Sequence, residues 1–428
     1  MSSDWSPGEV HETFTEWALA QGVIANKVRP ARFPGRGLGM IATEKIEAGE
    51  FVVKIPTTLI LTREKIPSSF RSQFREDTRV QAIMAAYLTC ASAEELAPYD
   101  LWRKTWPTRQ CFEDSLPMLW PRSLGGLTWP DTDPNDSPSK MNYLPPCISG
   151  TWNQVKQGRA LKQYESDHQN LVKQQEKRIR TAWEDVKAAI PDIDWKGFSY
   201  HWLILNTRSF YWVAPDQEAP EDRNDAMALL PFADYFNHSD IECDVKFDES
   251  QYTLSATENY ESGDEVYMNY GSHPNDFLLT EYGFFLDKHD SDCIYLDDII
   301  FRDLASPEKQ EELWLNQYYG DYSVTSDGVC YRTEVAACLV YMEEEQWRNH
   351  VLEGSEEGFD EKKTNIIIQG WLKAYLSEAE VTVSALHTAM KSGAVPEAHH
   401  GKAEALIRRW AQIHRVLEGA LSATSLSD

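Results

Sequence analysis

Asp234, Asn237, His238 and Asp240 stand inside the run "LLPFADYFNHSD", between Leu229, Leu230, Phe232, Tyr235 and Phe236. The apolar and aromatic side chains call for burial, and polar groups buried beside them must be hydrogen-bonded or carry a desolvation cost. The stretch is therefore either a satisfied structural network or a ligand site. Taken alone, His238 reads as a structural histidine, and Tyr270 in "VYMNYGSHPNDF" reads as a core residue. Metal and nucleotide motifs do not explain them. "HETFT" has no second histidine four residues after the first, so it lacks the paired ligands of a zinc protease, and "EAHHG" at 397–401 reads as a polar loop. "GRGLG" at 35–39 has neither a Walker lysine nor the dinucleotide spacing, and strand signals follow it. Its glycines indicate only that backbone comes close to another strand or to a ligand.

The combination says more than the parts. "GRGLG" at 35–39, "NTRSF" at 206–210, "DYFNHSD" at 234–240, "SGDEVYMNYG" at 262–271 and "EYGFF" at 281–285 follow one another in this chain. In types and order they resemble the motifs of SET-domain methyltransferases. More narrowly, the chain resembles the subgroup typified by the RuBisCO large-subunit lysine methyltransferase and the actin-histidine methyltransferase. That subgroup has an opening helix like "FTEWALAQG", a long helical insert and a helical C-terminal substrate-binding domain.

The resemblance implies S-adenosyl-L-methionine as cofactor, held by the backbone of Arg36, Gly37 and Leu38 and by Asn237 and His238. It implies that Arg208 and Asp234 line the cofactor and substrate pocket, and that Tyr270 is the catalytic tyrosine beside the transferred methyl group. Tyr282 and Phe284 flank the cofactor and the acceptor channel, and Phe285 joins Asp234 and Tyr270 on the substrate side. The implied activity is methylation of a lysine in a non-histone protein, ribosomal or otherwise basic. The alternatives are a histidine acceptor, or a catalytically silent SET fold that binds a protein partner. No cysteine cluster follows "YGFF", so no zinc or other metal is expected.

Elements must place these motifs. "EVHETFTEWALAQGV" sets Val10, Phe14, Trp17 and Ala18 on one helical face and stops at Gly22. "FVVKI" and "LILT" read as strands between Gly and Pro, and "DVKF", "YTLSAT" and "DEVYMNY" alternate as strands do. The charged run from Gln154 to Ile190 reads as one surface helix with a packed stripe, and from Pro307 onward helices dominate. The expected fold is α+β: a SET-type β fold with a pseudoknot, interrupted by a helical insert and followed by an α-helical C-terminal domain. The expected divisions are 1–62 for the opening helix and first β part, 63–200 for the insert, 201–295 for the second SET part and 296–428 for the helical domain. In the pseudoknot, the segment carrying Tyr270 is expected to thread beneath a loop, against the usual rule.

Composition limits the partners. A net charge of −27 from 68 acidic and 41 basic residues argues against a nucleic-acid partner, which needs a basic surface. The acidity alone serves either solubility or attraction of a basic partner, and with the resemblance a basic protein substrate is expected. No run is long and apolar enough for a membrane span, and no leader pattern opens the chain, so a cytoplasmic or nuclear monomer is expected. Seven cysteines without a CxxC pair read as reduced, mostly buried thiols.

Overall fold

The computed structural model describes residues 5–34, 36–156, 158, 160, 166–214 and 217–424. Gly35 of the glycine stretch lies outside the described residues, as do 157, 159 and 161–165 of the run read as one charged helix. The chain forms two compact units, Met1–Phe112 with Lys177–Ser272, and Glu113–Glu176 with His273–Asp428.

The first unit is built on two four-stranded sheets. One has the order β1 (Ile24–Ala25), β4 (Phe51–Pro56), β9 (Gln251–Ala256) and β8 (Cys243–Phe247). In β9 the side chains of Tyr252, Leu254 and Ala256 are buried while the residues between them are not, the period of two that the sequence shows. The hairpin joining β8 to β9 is closed by the Asp248 carboxylate, which accepts from the backbone N–H groups of Ser250 and Gln251. The other sheet has the order β2 (Val28–Phe33), β3 (Gly37–Ala42), β10 (Glu265–Met268) and β7 (Asn237–His238). Here β2 and β3 form an antiparallel hairpin with Phe33 opposite Gly37, and β10 lies antiparallel to β3 but parallel to β7. A short pair, β5 (Ser209–Tyr211) with β6 (Met227–Leu229), completes the unit's strands. "LILT" forms no strand: Leu61 makes a single bridge to Leu229.

Two helices of the insert back this framework. Val80–Cys90 and Trp195–Arg208 each bury seven residues, Trp202 and Phe198 among them, and pack on one another. Asp194 caps the second helix by accepting from Gly197 N–H at 2.6 Å, and the helix delivers Arg208 at its end. The opening helix spans Glu9–Ala20; Phe14 and Ala18 are buried as expected, but Val10 is exposed because the helix covers the core only from its second turn onward. Gly22 follows at φ 99°, the left-handed turn expected of a helix stop.

The second unit is mainly helical, with Pro307–Leu315, Tyr331–Tyr341, Glu344–Glu353, Glu361–Ser392 and His400–Ala423 as its principal helices. It also holds a three-stranded sheet of β11 (Ile294–Tyr295), β12 (Ser323–Thr325) and β13 (Gly328–Val329), which the apolar pattern does not reveal because the strands are two or three residues long. The charged run is not one helix. A helix occupies Leu171–Ala189, whereas the backbone N–H groups of Asn153, Gln154 and Val155 are bound by the buried Glu378 carboxylate. Gly158 approaches so closely that a Cβ there would lie 1.9 Å from the Arg302 amide nitrogen. Those contacts satisfy the segment's donors outside a helix, so helical propensity does not decide its shape. "EAHHG" likewise is no loop: Glu397–His399 form a 3-10 turn that runs into the helix at His400.

All seven cysteines are free thiols, but only Cys147 and Cys338 are buried, so the expectation of mostly buried thiols does not hold. No helix among the described residues is long and apolar enough to cross a membrane.

The second unit carries a buried charge network at Arg409, which is fully inaccessible. Its guanidinium meets Asp276 Oδ1 and Asp292 Oδ2, each at 2.7 Å, and Gln412 Oε1 at 3.0 Å. Arg409→Met would leave two shielded carboxylates without their counter-charge, and we expect a loss of about 3–5 kcal/mol in chemical denaturation. Arg408→Met, at the neighbouring exposed position, should change stability by less than ~1 kcal/mol.

Candidate functional site

Two short strands bring the polar residues together. Parallel pairing sets Asn237 beside Tyr267 and His238 beside Met268, so segments about thirty residues apart share one sheet edge. On the other side of β10 stands β3, which begins at Gly37. The network grows from there. Asn237 Nδ2 donates to the Leu38 carbonyl oxygen at 2.8 Å and to Glu265 Oε1 at 2.7 Å. Glu265 Oε2 lies 2.9 Å from Arg36 Nη1 and accepts from the Tyr267 hydroxyl at 3.0 Å. Arg36 Nη1 also donates to the Tyr267 oxygen. The approach depends on Gly39: a Cβ at that position would lie 2.5 Å from Glu265 Oε1 and 2.8 Å from Asn237 Nδ2. The glycine stretch is thus spaced for close backbone approach, as its composition suggests.

His238 is buried and fixes the chain beyond β10. Its Nδ1 accepts from the Tyr270 N–H at 3.0 Å, and the two rings lie 5.1 Å apart. Because Nδ1 accepts, a neutral imidazole carries its proton on Nε2. The Tyr270 hydroxyl donates to the Phe236 carbonyl oxygen at 2.5 Å, which ties the aromatic ring back to the segment before Asn237.

Asp234 sits on a strained turn. The preceding Phe232 is fully buried at φ 75°, ψ −33°, a conformation that a bulky side chain holds only when its surroundings impose it. Phe14 of the opening helix and Tyr235 pack against that ring. Asp234 Oδ2 accepts from the Trp102 indole N–H at 3.1 Å; Oδ1 is buried and meets no donor in hydrogen-bonding geometry among the described residues. Burial pushes the Asp234 carboxyl up to about 6, against the opposing pull of the Arg208 charge and the Trp102 hydrogen bond. Next to it, Tyr235 shares a 2.8 Å hydrogen bond with His11 Nδ1. Burial, then the Arg32 charge, lower the His11 pKa.

Arg36, Gly37, Leu38, Arg208, Asp234, Asn237, His238 and Tyr270 all belong to the first unit. Tyr282, Phe284 and Phe285 belong to the second. Tyr282 ends the helix Asn275–Tyr282, its ring 6.2 Å from Phe284 after the turn at Gly283, and the Arg408 guanidinium lies over Phe285 at 5.7 Å. Glu265 is the residue that sequence reasoning passed over. It stands in the quoted "SGDEVYMNYG", and strand alternation places it on the same face as Tyr267, but a carboxylate in an acidic protein draws no notice until its burial is seen. Among the described residues no three metal-ligating side chains cluster.

The SET-domain model matches residues 37–271, more than half of the chain. The chain belongs to the SET-domain family. Every network residue from Gly37 to Tyr270 falls inside the SET match, and Arg36 stands one residue before it. A second model, the C-terminal domain of ribosomal lysine N-methyltransferase 2, matches residues 292–422. The human SET domain-containing protein 4 is 22% identical over 380 residues, covering 85% of this chain and 80% of that protein. Ribosomal lysine N-methyltransferase set11 of Schizosaccharomyces pombe is 31% identical over 154 residues, 36% of this chain and 38% of that protein. A structure of Rubisco LSMT bound to AdoMet aligns over 97% of this chain and 92% of its own with a TM-score of 0.58 at 14% identity, a likeness of fold.

The raised Asp234 pKa has a pH signature. Its folded value exceeds the unfolded value near 4, so its contribution favours folding below pH ~4 and is lost as pH rises through 6. Asp234→Asn should therefore be more stable than the parent above pH 6, by about 1–3 kcal/mol, with the gap closing below pH ~4 in urea titrations.

Proposed function

We propose that the chain is an S-adenosylmethionine-dependent methyltransferase acting on a lysine of a basic, ribosomal-type protein. The observation that carries the reading is the lattice of Leu38, Asn237, Glu265 and Arg36 standing next to the His238–Tyr270 pair within one SET match. The second match, described by a ribosomal lysine methyltransferase, and the net charge of −27 support the substrate class. So do relatives named as ribosomal lysine N-methyltransferases in two yeasts.

The residues suit that cofactor. Beside the Glu265–Arg36 ion pair, the site offers lone pairs and aromatic faces: the Leu38 and Phe236 carbonyls, the Tyr270 phenol and the His238 ring. Such a set favours a cationic ligand, and at Gly37, with φ 80°, a Cβ would meet nothing within 4 Å. Leu38, Asn237 and His238 would hold the cofactor, with Arg36 and Gly37 beside them. When bound, S-adenosylmethionine supplies a methyl group activated by its sulfonium.

Tyr270 has its hydroxyl proton committed to Phe236, so its remaining lone pairs are what it offers: an acceptor for polarised C–H groups and an electrostatic aid to a cationic centre. Alignment and exclusion of water carry the catalysis in this reading, and Tyr270 acts by orientation more than by taking a proton. A lysine acceptor must arrive neutral, which costs about 4.6 kcal/mol at pH 7 from a solution pKa near 10.4. Burial lowers that cost. Arg208 and Asp234, of the same unit, line the cofactor and substrate pocket in this reading.

Calorimetric titration of S-adenosylmethionine should show one-to-one binding, weakened roughly 10- to 100-fold by Asn237→Ala and kept by Tyr270→Phe. Transfer of labelled methyl to ribosomal proteins should fall about 100-fold in Tyr270→Phe. A rate rising from pH 7 to 9 supports lysine; a flat profile favours histidine, and a folded protein that binds no cofactor is a silent scaffold.

A further inference from the structure

A cavity of about 750 Å³ lies wholly within the second unit, and none of the residues assigned to the site of the first unit lines it. Part of its lining is apolar, with Leu127, Leu144, Val172 and Val381. Its walls hold their shape through bonds of their own. The Asn142 N–H donates to Asn153 Oδ1 at 3.0 Å, Asn153 Nδ2 donates back to the Asn142 carbonyl oxygen at 2.8 Å, and the Asn153 N–H donates to Glu378 Oε1 at 2.6 Å. Gly125, at φ 101°, lets its segment close on Leu144: a Cβ there would lie 2.8 Å from Leu144 Cδ1. The cavity is therefore preformed, as small-molecule sites usually are, and its volume falls in their range.

The charge of the lining is opposite to that of the chain. Acidic residues outnumber basic ones 68 to 41 overall, yet here Arg122, Lys140 and Lys173 stand with a single acid, Glu176. Arg122 is held without being neutralised. Its Nη1 donates to the Asp136 backbone carbonyl at 3.1 Å, while the Asp136 carboxylate accepts from the Arg122 backbone N–H at 2.9 Å. Lys140 and Lys173 are exposed and have no ion-pair partner among the described residues. Three cations against one carboxylate call for a ligand with more than one negative charge. A phosphate monoester carries about −1.5 to −2 at pH 7, whereas a lone carboxylate brings one charge. Its oxygens suit both the guanidinium fork and the lysine point charges.

We propose that this cavity is a ligand site separate from the methyl-transfer site, and that it binds a small organic phosphate through Arg122, Lys140 and Lys173, with the ligand's apolar body against Leu127, Leu144 and Val172. The site does not depend on the cofactor reading.

The test is calorimetric titration of the full chain with naphthyl phosphate, inorganic phosphate and naphthol. Salt at about 150 mM screens diffuse attraction, and excess S-adenosylhomocysteine keeps the probes from the site of the first unit. Naphthyl phosphate should bind one-to-one, about 10-fold or more tighter than inorganic phosphate, and tighter still than naphthol. The double variant Lys140→Met, Lys173→Met should weaken it roughly 10- to 100-fold, and Arg122→Met about 10-fold. Both lysines are exposed, so the double variant keeps the fold. Lys362→Met, at another exposed position of the same unit, should leave binding within about two-fold. An equal loss in Lys362→Met means diffuse attraction and overturns the proposal. Unchanged binding in the folded double variant overturns it as well, as does naphthol binding as tightly as its phosphate. If naphthyl phosphate does not bind and a peptide of glutamate and leucine does, the cavity is instead a docking groove for an acidic protein segment.

Discussion

Two residue pairs of a parallel ladder, Asn237 with Tyr267 and His238 with Met268, set the arrangement of side chains in the first unit. Parallel neighbours cannot be joined by a tight turn, so the chain between them must travel away and return. Here it does so through the β8–β9 hairpin, which belongs to the other sheet. The pairing fixes which side chains meet. It places Asn237 against Glu265 and brings the Tyr270 amide to His238 Nδ1. A one-residue slip would turn each of these groups to the opposite face.

Three buried acids show how differently the fold treats charge. Glu265 has a partner at each oxygen, and Asp276 has Arg409. Asp234 has the Trp102 indole and the more distant pull of Arg208, and its carboxyl rises to about 6. The strained backbone at Phe232 lies two residues before it. Strain and an incompletely paired acid thus stand two residues apart, and neither feature stabilises the fold.

Much of this was legible beforehand, for identifiable reasons. Asn237 and His238 draw notice because polar types stand in an apolar run, whereas Tyr270, and the glycine stretch as more than a close backbone approach, are singled out only by the motifs in combination. The strands that alternate, β9 most clearly, were found where the period of two is written in the residues. What escaped depended on contacts distant in sequence. The charged run has a helix-like composition from Gln154 on, but Glu378 lies more than two hundred residues away, and its carboxylate claims the N–H groups of Gln154 and Val155. β11 to β13 are too short to show a period. Glu265 looks like any other acid among 68 acidic residues until its burial is known.

The order of strands in the sheet has a consequence for how the protein comes into being. β10 lies between β3 and β7 although it is the last of the four in the chain. During synthesis β2 and β3 can pair early as a hairpin, but the free side of β3 has no neighbour until residues near 265 have emerged, more than two hundred residues later. For that interval the glycine-bearing strand is an open sheet edge, and open edges recruit foreign strands. The closing contacts span long separations and are slow to form. The glycine-bearing edge is therefore a part of the nascent chain that a chaperone would have reason to cover.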